Sequence, residues 1–463
     1  MKHLSLSLFA LFIAGQLLAQ DVTVTSWMIN TTDLTGQHYL EGNSTPISDD
    51  YPANVQMVQY SDDNAYVNCS GIPAYIVGPY PDGNPALATD NEWLFRIPIN
   101  PTPASNATTT PMGPIGVFVN GVPMYNDADG ASYSSQQNAD DMMGGDGVWN
   151  RNAILAENDG FDCAKGHPSP IFNGPPGQGS LEGGTYHHHQ NPVAFNLAEV
   201  VLSDICDMYL ADGLYTIDET VHSPLIGFAF DGYPVYGAVG YANADGTGGL
   251  EIIASSYQER DITTRTTYAD GSTVTAGPDV SAQYPIGWYK EDYEYVAGSG
   301  HLDEFNGREC VTPEYPDGTY AYFATVDADH NSVYPYLVGP QYYGVVDQSN
   351  FTSMGGGNSV TIDEDVTLYD PTVSIDDQGL NIEQLNVFPN PSSDFIAVQL
   401  QGINKQDIKI ELYDLTGKKV QESTIRQGST IWHLDVRTLY SGEYLLKVIS
   451  DSNTLTQRVM VSK

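Results

Sequence analysis

Glycine and proline punctuate this chain so closely, 45 and 28 among 463 residues, that mostly short β-branched and aromatic runs remain between them. Proline removes a backbone donor and glycine carries the largest ordering cost, so neither belongs inside a helix. The chain therefore reads as mainly β: a loop-rich, sandwich-like β body with one or a few short helices. One segment departs from this pattern. Residues 196–213, NLAEVVLSDICDMYLADG, place apolar side chains three and four apart and end on glycine, which predicts a helix.

Two decapeptides repeat the same plan. GVFVNGVPMY (116–125) and GFAFDGYPVY (227–236) each set an apolar run before Asn-Gly or Asp-Gly, then x-Pro-x-Tyr. Such dipeptides between strands predict hairpins whose two turn residues both take positive φ. Pro123 and Pro234 cannot donate to a ladder, so their strands are expected at edges or kinked. The pair fits either two similar hairpins or a duplication.

Charge divides the chain. The residues from Asn386 onward hold nine basic and eight acidic side chains, leaving residues 1–385 with 8 of the 17 basic and 50 of the 58 acidic ones. A body this acidic excludes nucleic acid, which is bound through Lys and Arg on phosphates. It fits a solvated surface, or one that collects divalent cations. Residues 1–20, with one early lysine, a short apolar run and Ala19, have the anatomy of a signal peptide. No later run approaches the ~20 apolar residues of a spanning helix, so the mature chain is expected not to be transmembrane. Cys69, Cys163, Cys206 and Cys310 are widely spaced; in an exported protein they suggest two disulfides, with three pairings open.

Residues 351–384 are rich in Gly, Ser and Asp and read as a linker between a body (21–350) and a tail (385–463). The tail alternates like a small immunoglobulin-like β-sandwich. Its VFPNPSSDFI, IELYDLTGKKV and LDVRTLYSGEYLLKV resemble, in order, the type A C-terminal sorting domain of the type IX secretion system of Bacteroidetes. That resemblance implies engagement of the secretion machinery, delivery to the cell surface or medium, and removal of the tail after translocation. Any activity then lies in the body.

Eight of the ten histidines fall in the body, three of them consecutive in GTYHHHQN. In an extended segment His187 and His189 share one face and His188 takes the other. Neutral imidazole is a ligand for copper and zinc, and two residues rarely suffice. His167 in CAKGHPSP and His222 in ETVHSPLIG, each beside a proline, are the expected additional ligands, so the metal set is His187, His189, His222 and His167. His301, with Asp303 beside it, Tyr186 and Asp231 are candidates for supporting contacts. His188 reads as incidental, and His38 and His330 as surface residues. No catalytic residue is identified.

Several blocks also resemble, in order, the signatures of the YHYH domain, a family of exported proteins. They are GPIGVFVNGVPMYN, WNRNAILAENDGFDCAKGHPSP, GTYHHHQNP, HSPLIGFAFDGYPVYG, and LDEFNGREC with TPEYPDGTYAYFAT, and the similarity runs over about 72–343. The resemblance places Tyr186, His187 and His189 on the Tyr-His-x-His positions, with His188 replacing the second Tyr. Ala321 stands where relatives often carry His, which bears on any shared catalytic role.

A calcium loop is a weak further possibility: Asp327, Asp329 and Asn331 have the spacing of its first ligands, but Ser332 and Val338 replace the glycine and glutamate it needs. Trp93, Trp149 and Trp288 could stack on sugars, although core packing is their commoner use. Two functions follow: a secreted protein that binds copper or zinc through histidines, or a non-catalytic extracellular module for a polysaccharide, another polymer or a small molecule.

Overall fold

The computed structural model describes residues 21–80, 87–142, 144–169, 184–194, 213–351 and 358–371. In the tail it describes 385–463 apart from 389, 401–406, 415–417, 428, 430 and 450–453. Residues 1–20, Cys206 and all but the last residue of the expected helix over 196–213 lie outside these segments. The described body is almost entirely strands and loops, its two α-helices, Val22–Thr25 and Ala153–Ala156, being single turns. No described helix is long and apolar enough to cross a membrane.

The body is centred on a six-stranded sheet in the order Gly307–Cys310, Thr319–Phe323, Pro234–Tyr236, Leu225–Ala229, Pro114–Phe118, Pro123–Tyr125. The two repeated decapeptides form its hairpins, and their first strands pair antiparallel, Phe228 opposite Val117. Phe118, Val117, Phe228 and Val235 are fully buried here. Burying a large apolar side chain contributes about 1.5–3 kcal/mol, so the turn signals and the core agree on one register. The turns differ from expectation in one respect. Only Gly121 and Gly232 take positive φ, at 83° and 90°. Asn120 and Asp231 instead accept a hydrogen bond from the backbone N–H two residues on. Pro123 opens an edge strand as expected, whereas Pro234 opens an interior one, tolerated at a first position where no ladder donor is needed.

A second sheet, Thr367–Leu368, Val55–Tyr60, Asn64–Cys69, Trp93–Pro98, lies against the first. Phe95 joins the two, stacked 5.2 Å from Trp93 and tilted against Phe230 at 5.3 Å. Part of the expected linker belongs to this sheet. Thr367–Leu368 pairs with Val55–Tyr60, and Glu364 accepts hydrogen bonds from Tyr66 and Asn64. Trp93 and Trp149 are buried, which removes them as sugar platforms.

Of the two disulfides expected, one engages Cys163, which is disulfide-bonded, but the second does not form. Cys69 and Cys310 are free thiols, both buried, Cys69 against the Gly121 turn and Cys310 in the sheet, so their burial is that of small apolar residues. His38 is also more enclosed than expected, 9% exposed with Nδ1 2.7 Å from Asp49.

In the tail a three-stranded sheet (Leu385–Phe388, Phe395–Leu400, Ile431–Asp435) accompanies a four-stranded one. Ile396, Val398, Ile410, Leu412, Leu446 and Val448 form a core separate from that of the body. It is a small β-sandwich, as its alternation predicts.

Candidate metal centre

The site begins as a cross-strand pair. His167–Ser169 runs antiparallel to Thr185–His187, with His167 directly opposite His187. Opposed residues bring their Cβ atoms to about 5 Å, and the two rings stand 4.7 Å apart. The chain then joins the edge strand Pro123–Tyr125 of the central sheet, Tyr125 donating its backbone N–H to the His188 carbonyl at 2.9 Å. That extension keeps the alternation going for two more residues, returning His189 to the face of His187.

One ring nitrogen from each of His167, His187 and His189 lies within 4.8 Å of the others, and all three residues are buried. The tautomers follow from the partners. His187 Nδ1 meets the Thr185 carbonyl, and His189 Nδ1 meets the Asn126 carbonyl. A carbonyl only accepts, so each Nδ1 carries a hydrogen, and in the neutral ring each Nε2 then presents a lone pair. Those two Nε2 atoms face each other at 3.1 Å.

Glu157 closes the other side. Its Oε2 is 3.2 Å from His167 Nε2 and 3.1 Å from His189 Nε2. Yet neither Glu157 Oε2 nor His167 Nε2 has a hydrogen-bond partner among the described residues, although both atoms are buried. Burial disfavours the charged carboxylate, but the imidazoles of His167 and His189 outweigh it and hold Glu157 well below the usual carboxylate range. Burial likewise lowers His189, and the Glu157 charge more than restores it. His187, farther from the carboxylate's influence, is driven well down by burial and by the neighbouring imidazoles.

Aromatic rings wall the cluster. Tyr125 stacks on His187 at 3.7 Å and meets His189 edge-on, while Phe161 lies 4.7 Å from His167. Beneath them His188 is far from incidental. It is 0% exposed, with Nδ1 on the Lys165 carbonyl and Nε2 2.7 Å from the Tyr75 hydroxyl, and burial pushes it down to about 3. Tyr186 turns away from the imidazoles and donates to Asp162, which also accepts from the N–H groups of Gly78, Ala164 and Gly166. Gly166 fits because it lacks a side chain: a Cβ there would meet Tyr186 Oη at 2.4 Å and His188 Cε1 at 2.8 Å.

The remaining sequence candidates stand elsewhere. His222 bonds the Ser223 carbonyl and packs among Tyr236, Tyr241 and Phe323, so it does not join the cluster. Asp231 accepts from Tyr322 and Gly344 at the second hairpin. His301 is bonded to Ala254 and Glu251, and Asp303 accepts from Tyr320. In the possible calcium loop, the Asp327 carboxylate is bonded to the N–H groups of Asp329 and Asn331 and to the Asn331 amide. Sequence reading missed Glu157, Tyr125, Tyr75 and Asp162. Glu157 and Asp162 share a sequence block with His167, and that shared block was the available signal.

A family model described as "YHYH protein" matches residues 94–334, 241 of the 463. A second, described as "Secretion system C-terminal sorting domain", matches residues 386–462. No curated protein matches the chain.

Proposed function

This chain belongs to the YHYH protein family, and we propose that it is an exported protein that holds one copper or zinc ion on His167, His187 and His189. Its type IX sorting tail directs it to the outer surface or the medium. The observation that carries the proposal is the pair of imidazole Nε2 atoms facing each other at 3.1 Å with a third ring nitrogen beside them. With both rings neutral these are two acceptors, which repel unless a proton or a metal ion lies between them. Ligand atoms about 2.0–2.1 Å from a shared tetrahedral ion are spaced about 3.4 Å apart, close to what is seen. An all-imidazole set without thiolate favours copper or zinc over calcium or magnesium.

In the other reading, that of a binding module, the histidines are structural and each ring should have both nitrogens satisfied. His188 meets that description, and His187 and His189 meet it only if one Nε2 donates to the other; His167, whose Nε2 has no hydrogen-bond partner among the described residues, does not. When bound, zinc supplies a Lewis acid and copper a one-electron centre. The protein contributes fixed tautomers, a dry aromatic wall and a neighbouring carboxylate. The test is elemental analysis of the full-length protein purified without a histidine tag. About one equivalent of copper or zinc is expected by the stoichiometry of a single tetrahedral site, and none in His187→Ala/His189→Ala. A wild-type protein that remains metal-free after incubation with both ions overturns the proposal.

A further inference from the structure

We infer that Glu157 is a fourth, displaceable ligand of this centre, the arm that a small monoanion replaces when it reaches the ion. The inference rests on the three-histidine reading above and adds to it the group that controls access. Glu157 Oε2 lies 3.2 Å and 3.1 Å from two of the imidazole nitrogens, near the separation of co-ligands on one ion. The contacts lie within ion-pair distance, but neither Oε2 nor His167 Nε2 meets hydrogen-bond geometry with any described residue. Buried polar atoms left this way are costly, and a shared cation satisfies both at once.

Exposure distinguishes Glu157 from the imidazoles. Its side chain is 24% exposed, against 8% for His167 and 3% for His189, so it is the residue of the group nearest to water, although Oε2 itself is buried. Its backbone is anchored, and its carboxylate meets the imidazoles of His167 and His189. The helical turn Ala153–Ala156 is capped by Asn152 and its Ala153 N–H donates to the Asp127 carbonyl, while Glu157 follows as the C-cap with its own N–H on the Ala153 carbonyl. The three histidines, by contrast, are held by strand pairing, by carbonyls on His187 and His189, and by ring stacking.

Charge selects the ligand. Three neutral imidazoles leave a divalent ion at +2, and one carboxylate reduces this to +1. A monoanion that displaces Glu157 keeps the same balance. Tyr125 and Phe161 on the flanks restrict it to a few atoms.

Copper(II)-loaded full-length protein, titrated with azide and followed by its charge-transfer absorption, tests the inference. Glu157→Ala should still take up one equivalent, bind copper roughly 10–100-fold more weakly, and bind azide roughly tenfold more tightly. Glu157→Gln preserves the side-chain shape, provides the reading if the alanine variant misfolds, and should shift both quantities in the same direction. Copper affinity and azide titration indistinguishable from wild type in the folded variant overturn the role of Glu157. Wild-type protein that takes up no copper overturns the three-histidine centre instead.

Discussion

His187 and His189 turn their Nε2 atoms toward each other across 3.1 Å, each ring's hydrogen being committed to a carbonyl at the opposite edge. Two like dipoles are thereby held in opposition by backbone groups that cannot rotate away. The fold keeps the rings poised for a positive guest.

Saturating copper or zinc should therefore raise thermal stability. At a hundredfold excess over Kd, binding to the native state alone contributes about 2.7 kcal/mol. The shift in melting temperature on metal addition should be clear in wild type and absent in His187→Ala, measured by circular dichroism with and without chelator.

His188 separates structure from ligation. His188→Ala leaves the Tyr75 hydroxyl and Lys165 carbonyl facing an empty space in the interior. A loss of about 3 kcal/mol in urea unfolding is expected, with metal stoichiometry retained in the folded fraction. Loss of metal at unchanged stability would reverse the assignment of His188 and its neighbours.

Gly166 tests how tightly the layer beneath the imidazoles is packed. Gly166→Ala must displace Tyr186 or His188, since the new methyl would lie 2.4 Å and 2.8 Å from them. Overpacking of this kind costs about 1–3 kcal/mol, readable as a lower urea midpoint. An unchanged midpoint would show that the layer can yield.

Asp231 gives a pH dependence. Burial pushes its carboxyl up to about 6 from 3.8, against hydrogen bonds from Tyr322, Gly344 and Tyr233. The folded state thus binds this proton more tightly than the unfolded one. Its contribution is full below about pH 4 and is lost as pH rises through about 6, on the order of 3 kcal/mol in all. The stability difference between wild type and Asp231→Asn should fall between pH 4.5 and 7.5 in paired urea titrations. A difference constant across that range would mean that Asp231 is ionised throughout.

Removing residues 386–463 should keep the body behind the outer membrane, detected by immunoblot of cell fractions and medium. Release at the normal level would show a second export route.

How much was legible depended on the range of the interactions. Alternation alone places His187 and His189 on one face, because a period of two is local. The hairpins were legible for the same reason, although Asn120 and Asp231 do not take the positive φ expected of them. Glu157 was hidden because it reaches His189 from 32 positions away, a separation no periodicity encodes. His222 misled because a neighbouring proline marks the end of a segment, not where it points. His188 looked dispensable because sequence records which side a residue faces but not whether a Tyr75 hydroxyl waits there. The paired-cysteine expectation came from compartment and count; it holds for Cys163, which is disulfide-bonded, whereas Cys69 and Cys310 are buried free thiols.

The two hairpins that pair through Phe228 and Val117 give the molecule its own reference state. Tyr125 in the first has an imidazole against its ring, His187, and the matching Tyr236 in the second has one as well, His222. Only the first is joined by two further imidazoles. The lone imidazole stands edge-on to its tyrosine at 5.3 Å, whereas the one in company lies stacked at 3.7 Å. One hairpin plan thus carries two different ring contacts, and only one of them has become a gathering place.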